Sequence, residues 1–208
     1  MKAKRVTFYC LVGLVAGCVP IVSLNPLFTK ETITFDEKLL GTWLSDANSP
    51  SKSLEFARFE ESSAGDLPKE LQSEFKRVYR LHLFEDNQKH VFVACLVKLG
   101  QRRFLDVFPN QSASDRENRK AGSYESFILP CHMFLRVDAI GDELKIRPMN
   151  DDRFRTLVEA DPNAVAYAET DNGLVLTGST KELQAFVTKF ADDRLFFIGE
   201  ITLPRKSK

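Results

Sequence analysis

No HExxH, CxxC, GxSxG or glycine-rich phosphate loop occurs in the chain, and its 208 residues include only three histidines and four cysteines. Metal centres need three or four converging His, Cys or carboxylate ligands, and nucleophilic catalysis needs a Ser or Cys beside a base. Past the first 18 residues the supply falls to His82, His90 and His132 with Cys95 and Cys131. Cys131 and His132 are neighbours in an alternating run, so on a strand they point to opposite faces and do not chelate together. The reading is therefore of a non-enzyme with no cofactor and no metal. An excess of either charge is also missing: Lys+Arg and Asp+Glu stand at 29 each, which leaves no bulk field for nucleic acid. Tryptophan occurs once and tyrosine four times against seventeen phenylalanines, most of them in short apolar runs that read as core filler. Neither repeats nor low-complexity tracts are seen.

What is present begins at the N-terminus. Lys2, Lys4 and Arg5 precede an uncharged run from Val6 to Leu24, the layout of a signal sequence whose basic end stays cytoplasmic. Removing those three bases leaves 26 of the 29 against 29 acids, a mildly acidic mature chain. Leu14-Val15-Ala16-Gly17-Cys18 resembles the lipobox of bacterial lipoprotein signal peptides. That resemblance implies cleavage before Cys18 and acylation of its thiol with palmitate-type chains, which anchor stably when two or more are present. Val19, rather than Asp, after Cys18 implies sorting to the outer membrane, facing the periplasm. Two other fates stay open. Nineteen uncharged residues are just enough to span a bilayer as a signal anchor, and Gly13 with Gly17 would suit helix pairing; ordinary secretion is the third. All three put the following domain outside the cytoplasm.

The resulting division is a signal peptide over 1–17, a tether over 18–35 broken by Pro20, Asn25 and Pro26, and one domain over 36–208. From Asp36 to Pro148 the apolar period is mostly two, which argues strands. Leu54 to Glu60, Arg77 to Glu85, Val91 to Leu99 and Arg103 to Phe108 follow as an antiparallel succession. A 17-residue polar loop, Asn110 to Ser126, precedes a hairpin from Cys131 to Pro148 that turns at Gly141-Asp142. Helical spacing of Phe154, Leu157 and Val158 after Asn150 or Asp151, either of which can cap it, predicts a short helix. Ser179-Thr180-Lys181-Glu182 fits a capping box ahead of Leu183, Phe186, Val187 and Phe190. Val165 to Glu169 and Leu174 to Thr177 form a hairpin around Asp171-Asn172-Gly173, and a last strand is expected over Leu195 to Thr202.

Such a run of hairpins must hide its edges, and a mainly β, antiparallel barrel of about eight or nine strands with one short helix and one packed C-terminal helix does so. Gly41-Thr42-Trp43 resembles the first conserved block of lipocalins, and the wider order of elements looks like small uncharacterised bacterial lipoproteins with a lipocalin-like (calycin-like) barrel. The resemblance implies that Trp43 closes the barrel floor and that an Arg at the end of the last strand, here Arg205, packs on it. Small barrels are either filled or hold one apolar ligand. Tyr79, Leu81, Leu83, Met133 and Leu135 are the expected inward residues that would line such a cavity. The alternative is a ligandless module that docks another envelope protein. Cys95 and Cys131 are an even pair in an exported domain, so a disulfide and two separate core thiols are both open.

Overall fold

The computed structural model describes residues 21–45, 52–85, 88–110, 130–171 and 173–206. The signal segment, Cys18 and nearly all of the Asn110 to Ser126 loop lie outside these. Eight antiparallel strands run in sequence around a barrel: β3 (Gly41–Leu44), β4 (Lys52–Arg58), β5 (Val78–Glu85), β6 (Gln88–Leu99), β7 (Arg102–Pro109), β8 (Met133–Ile140), β9 (Glu143–Pro148) and β12 (Ile201–Pro204). Closure is made between the first and last of them. Arg205 bridges to Trp43, and the Lys206 N–H donates to the Thr42 carbonyl at 2.9 Å. The chain is thus a mainly β protein with a lipocalin-like antiparallel barrel.

Alternation in β5 sends Tyr79, Leu81, Leu83 and Glu85 inward and leaves Arg80, His82 and Phe84 half-buried outside. β6 and β7 are buried on both faces from Phe92 to Val97 and from Phe104 to Phe108. Their near-continuous apolar runs follow from covering a second layer on the outside of the barrel. That layer consists of α2 (Asp151–Ala160), α3 (Thr180–Lys189) and a three-stranded sheet in the order β1 (Val22–Ser23), β11 (Gly173–Leu176), β10 (Tyr167–Thr170). A single helical turn, α1 (Lys69–Gln72), lies between β4 and β5.

The phenylalanines tie the layers together. Phe154 of α2, Phe186 of α3, Phe196, Phe197 and Phe104 of β7 form a chain of tilted and edge-to-face rings with centroids 4.9–5.7 Å apart. Pairs of this kind contribute about 0.5–1.5 kcal/mol each beyond the area they bury. The helices start where the side chains can cap them. Asn150 accepts from the Asp152 N–H, and Ser179 with Glu182 forms a reciprocal capping box.

Three expectations are corrected. The segment expected as a tether over 18–35 is, from Ile21 onward, part of the fold: Ile21, Leu27 and Ile33 are at most 3% exposed. β2 (Ile33–Thr34) pairs with β6 at Val97 and Leu96, where β5 has already ended at its Val78–Cys95 pair, so it covers an edge otherwise left bare. The hairpin at Gly173 is outside the barrel and not among its strands, because β11 pairs with β1 instead of with β9 or β12. The last strand begins at Ile201 rather than Leu195. Phe196 and Phe197 turn into the outer layer and Gly199, at φ +66°, redirects the chain toward β9.

Candidate functional site

The barrel floor is built on one glycine and one arginine. A 3₁₀ turn, Glu37–Leu39, leads into β3, capped by the Asp36 carboxylate, which accepts the Lys38 N–H at 3.0 Å. Gly41 then adopts φ +116°, a backbone conformation open to glycine, and Trp43 swings under the turn so that its Nε1–H donates to the Leu39 carbonyl at 2.9 Å. The Arg205 guanidinium lies 4.1 Å from the Trp43 ring centroid. It also donates to the carbonyls of Leu40, at 2.7 Å, Lys38 and Gly141. One side chain therefore covers the indole and satisfies three carbonyls at the ends of two connections.

A Cβ on Gly41 would stand 2.9 Å from Arg205 Nη1, and φ would be strained as well. Gly41→Ala is expected to cost about 2 kcal/mol. The urea midpoint followed by the fluorescence of Trp43, the single tryptophan, measures it. An unchanged midpoint would show that the floor rearranges freely.

No protein-family model, curated protein or solved structure matches this chain.

Tyr79, Leu81, Leu83, Met133 and Leu135 all face the barrel interior, together with Phe56, Phe92, Leu105 and others from every strand. No side chain of this interior cluster is more than 5% exposed. These inward side chains pack against one another in the described part of the barrel. Tyr79 is further committed: its hydroxyl accepts the Asp36 N–H at 2.7 Å and donates to the Asp36 carbonyl at 3.1 Å, under a ring stacked on Phe35. Burial pushes that phenol well above its ordinary range. At the end of the barrel away from Trp43, Lys52 and Glu85 form an ion pair between facing positions of β4 and β5.

Cys95 and Cys131 are not joined to each other by a disulfide, which corrects that alternative. Register explains it. Cys95 lies in an outward row with Asp106 and Phe134 across β6, β7 and β8, whereas Cys131, an odd number of residues before Phe134, has the parity of inward-facing Met133. A disulfide between opposite faces of a sheet is out of reach.

The same row holds a pair that the sequence reading passed over. Asp106 is fully buried, and its Oδ1 accepts from His132 Nδ1 at 2.7 Å while its Oδ2 accepts the Leu27 N–H at 2.7 Å. Phe28 and Phe108 pack the imidazole, with centroids 6.1 and 4.6 Å away. His132 and Ser23 also exchange two backbone hydrogen bonds at 2.8 and 2.9 Å. The pair clips the N-terminal segment onto the barrel wall. The signal for it is a lone acid inside Phe104-Leu105-Asp106-Val107-Phe108, since a charge in a two-sided apolar strand requires a buried partner. Among the described residues no group of three His, Cys, Asp or Glu side chains converges as a metal site would require.

Proposed function

We propose that the chain is a lipid-anchored extracytoplasmic protein, held through Cys18 in the outer membrane and facing the periplasm, that acts by surface contact with other envelope components. The observation that supports the contact reading is the close packing of the described inward side chains, Tyr79, Leu81, Leu83, Met133 and Leu135 among them, each at most 4% exposed. The anchoring half of the proposal is supported by the lipobox at Leu14 to Cys18 and by the basic, uncharged and small-residue order before it. Among the described residues no helix is long and apolar enough to cross a membrane.

Intact-mass measurement of the protein from a bacterial membrane fraction, beside a Cys18→Ser variant, tests it. The wild type is expected to begin at a diacylated or triacylated Cys18, with no second, non-covalent lipid in native mass spectra. The variant is expected to keep its leader. An unmodified Met1 in both would turn the reading to a signal anchor, and a co-purifying apolar molecule would restore the carrier.

A further inference from the structure

We infer that the outward face of the three-stranded sheet β1-β11-β10 lies on the lipid bilayer. The inference rests on the lipid-anchor reading above and adds an orientation to it.

Pairing decides which side chains share a face of this sheet. Val22, Val175 and Ala168 stand in one row across the three strands, and Ala166 and Thr177 in the next. Leu24 follows on the β1 side, its N–H bonded to the Leu176 carbonyl at 2.9 Å and its side chain 40% exposed. The intervening row, Ser23, Leu176 and Tyr167, turns the other way: Ser23 and Leu176 are fully buried, and the Tyr167 ring packs on Phe154 at 5.3 Å. The outward face therefore carries no charge. Glu169 belongs to the inner row and pairs with Arg155 of α2, and Asp171 sits at the hairpin tip. A half-exposed sheet in a chain that is 28% charged ordinarily alternates apolar with charged, and this one does not.

The occupant follows from where the chain goes next. Only Val19 and Pro20 separate Cys18 from Ile21, which is 3% exposed and fixed in the outer core. Three Cα steps reach ~11 Å at full extension. An acylated Cys18 consequently holds β1 within about a lipid headgroup's depth of the acyl chains, and brings the face beside it within reach of the membrane. An uncharged face is the kind that enters the headgroup boundary without a desolvation cost for ions.

Trp43 is fully buried and supplies a constant background, so an added tryptophan reports its own surroundings. Ala168→Trp is placed on the face, with Thr170→Trp as a second position on the same side. Asp142→Trp, on the exposed turn at the far end of β8, roughly 25 Å along that strand from His132, is the control. The full-length acylated proteins are incorporated in phosphatidylcholine vesicles with or without bromine on the acyl chains and checked by flotation and intact mass. Brominated lipid is expected to remove about half of the added fluorescence at Ala168→Trp and Thr170→Trp and to leave Asp142→Trp unchanged. If the acylated protein floats but neither face position is quenched, the orientation is wrong while the lipid anchor stands. If fluorescence at the face instead follows protein density in the vesicle, a second copy covers it, and the proposal is equally overturned. Absence of acylation and of flotation would remove the anchor reading and this inference with it.

Discussion

Asp106→Ala is expected to lower the stability of the folded domain by about 2–5 kcal/mol, because it leaves two largely buried N–H donors without their acceptor at about 1–3 kcal/mol each. Both oxygens of this carboxylate are used, so the substitution orphans the Leu27 N–H and His132 Nδ1 inside a wall that water does not reach. His132→Ala is expected to cost about 1–3 kcal/mol, because it leaves Asp106 Oδ1 buried without its donor. Combining His132→Phe with Asp106→Val replaces both by apolar groups and should cost less than the two single changes together, by about 1.5 kcal/mol or more. Urea unfolding with Trp43 as the probe measures all of these. Hydrogen exchange adds a local reading: amides of residues 21–28 should lose protection first in Asp106→Ala, because the clip joins them to β7 and β8 across 79 positions of sequence. Additive energies, or exchange that rises uniformly, would show that the pair is not the clip.

Alkaline pH is expected to unfold the protein through three groups. Burial, reinforced by the nearby negative charge of Asp106, pushes the Cys95 thiol up; burial does the same for the half-buried Cys131 thiol and for the Tyr79 phenol. In the unfolded chain thiols release their protons near about pH 8.5 and phenols near about 10. Between those values and the raised ones, the native state holds more protons than the unfolded state, so stability falls as pH rises. Below about pH 8.5 these groups contribute no slope. Above it, each fully buried group that stays protonated in the fold removes about 1.4 kcal/mol per pH unit. Cys95 acts first and Tyr79 from about pH 10, for a loss on the order of 3–5 kcal/mol by pH 11. Urea midpoints from pH 7 to 11, with reductant present, test this. Cys95→Ala should flatten the profile between about pH 9 and 10, and Tyr79→Phe should flatten it beyond. A profile as steep in both variants as in the parent would place the alkaline sensitivity elsewhere.

The strands and helices that were legible are those whose signals are local. Period-two alternation in Arg77 to Glu85 separates the two faces of β5 because successive side chains point opposite ways whatever the sheet becomes. Asn150 or Asp151 and Ser179 mark helix starts because caps bond two or three residues on; the structure selects Asn150 for the first. The same locality explains what went unread. Ile21 to Thr34 has no period, being broken at Asn25 and Pro26, yet it is held by partners far away: Thr180 Oγ1 donates to the Pro26 carbonyl and Gln184 to that of Leu27, across 154 and 157 positions. Leu195 to Ile198 looks like a strand because it is apolar. Its phenylalanines serve a ring cluster around Phe186 instead, and composition does not distinguish the two.

A β-rich chain with two capped helices and an uncharged, basic-tipped N-terminus follows from local pattern, since each of these depends on neighbours within a few positions. That pattern also determined which of Tyr79, Leu81, Leu83, Met133 and Leu135 share the inward side, because alternation is a property of the strand. Only the tertiary structure placed Cys95 in the outward row beside Asp106, packed the inward side chains together, and brought Asp106 back to Leu27. Those outcomes depend on strand register and on how closely the layers approach, and both are set only when distant segments meet.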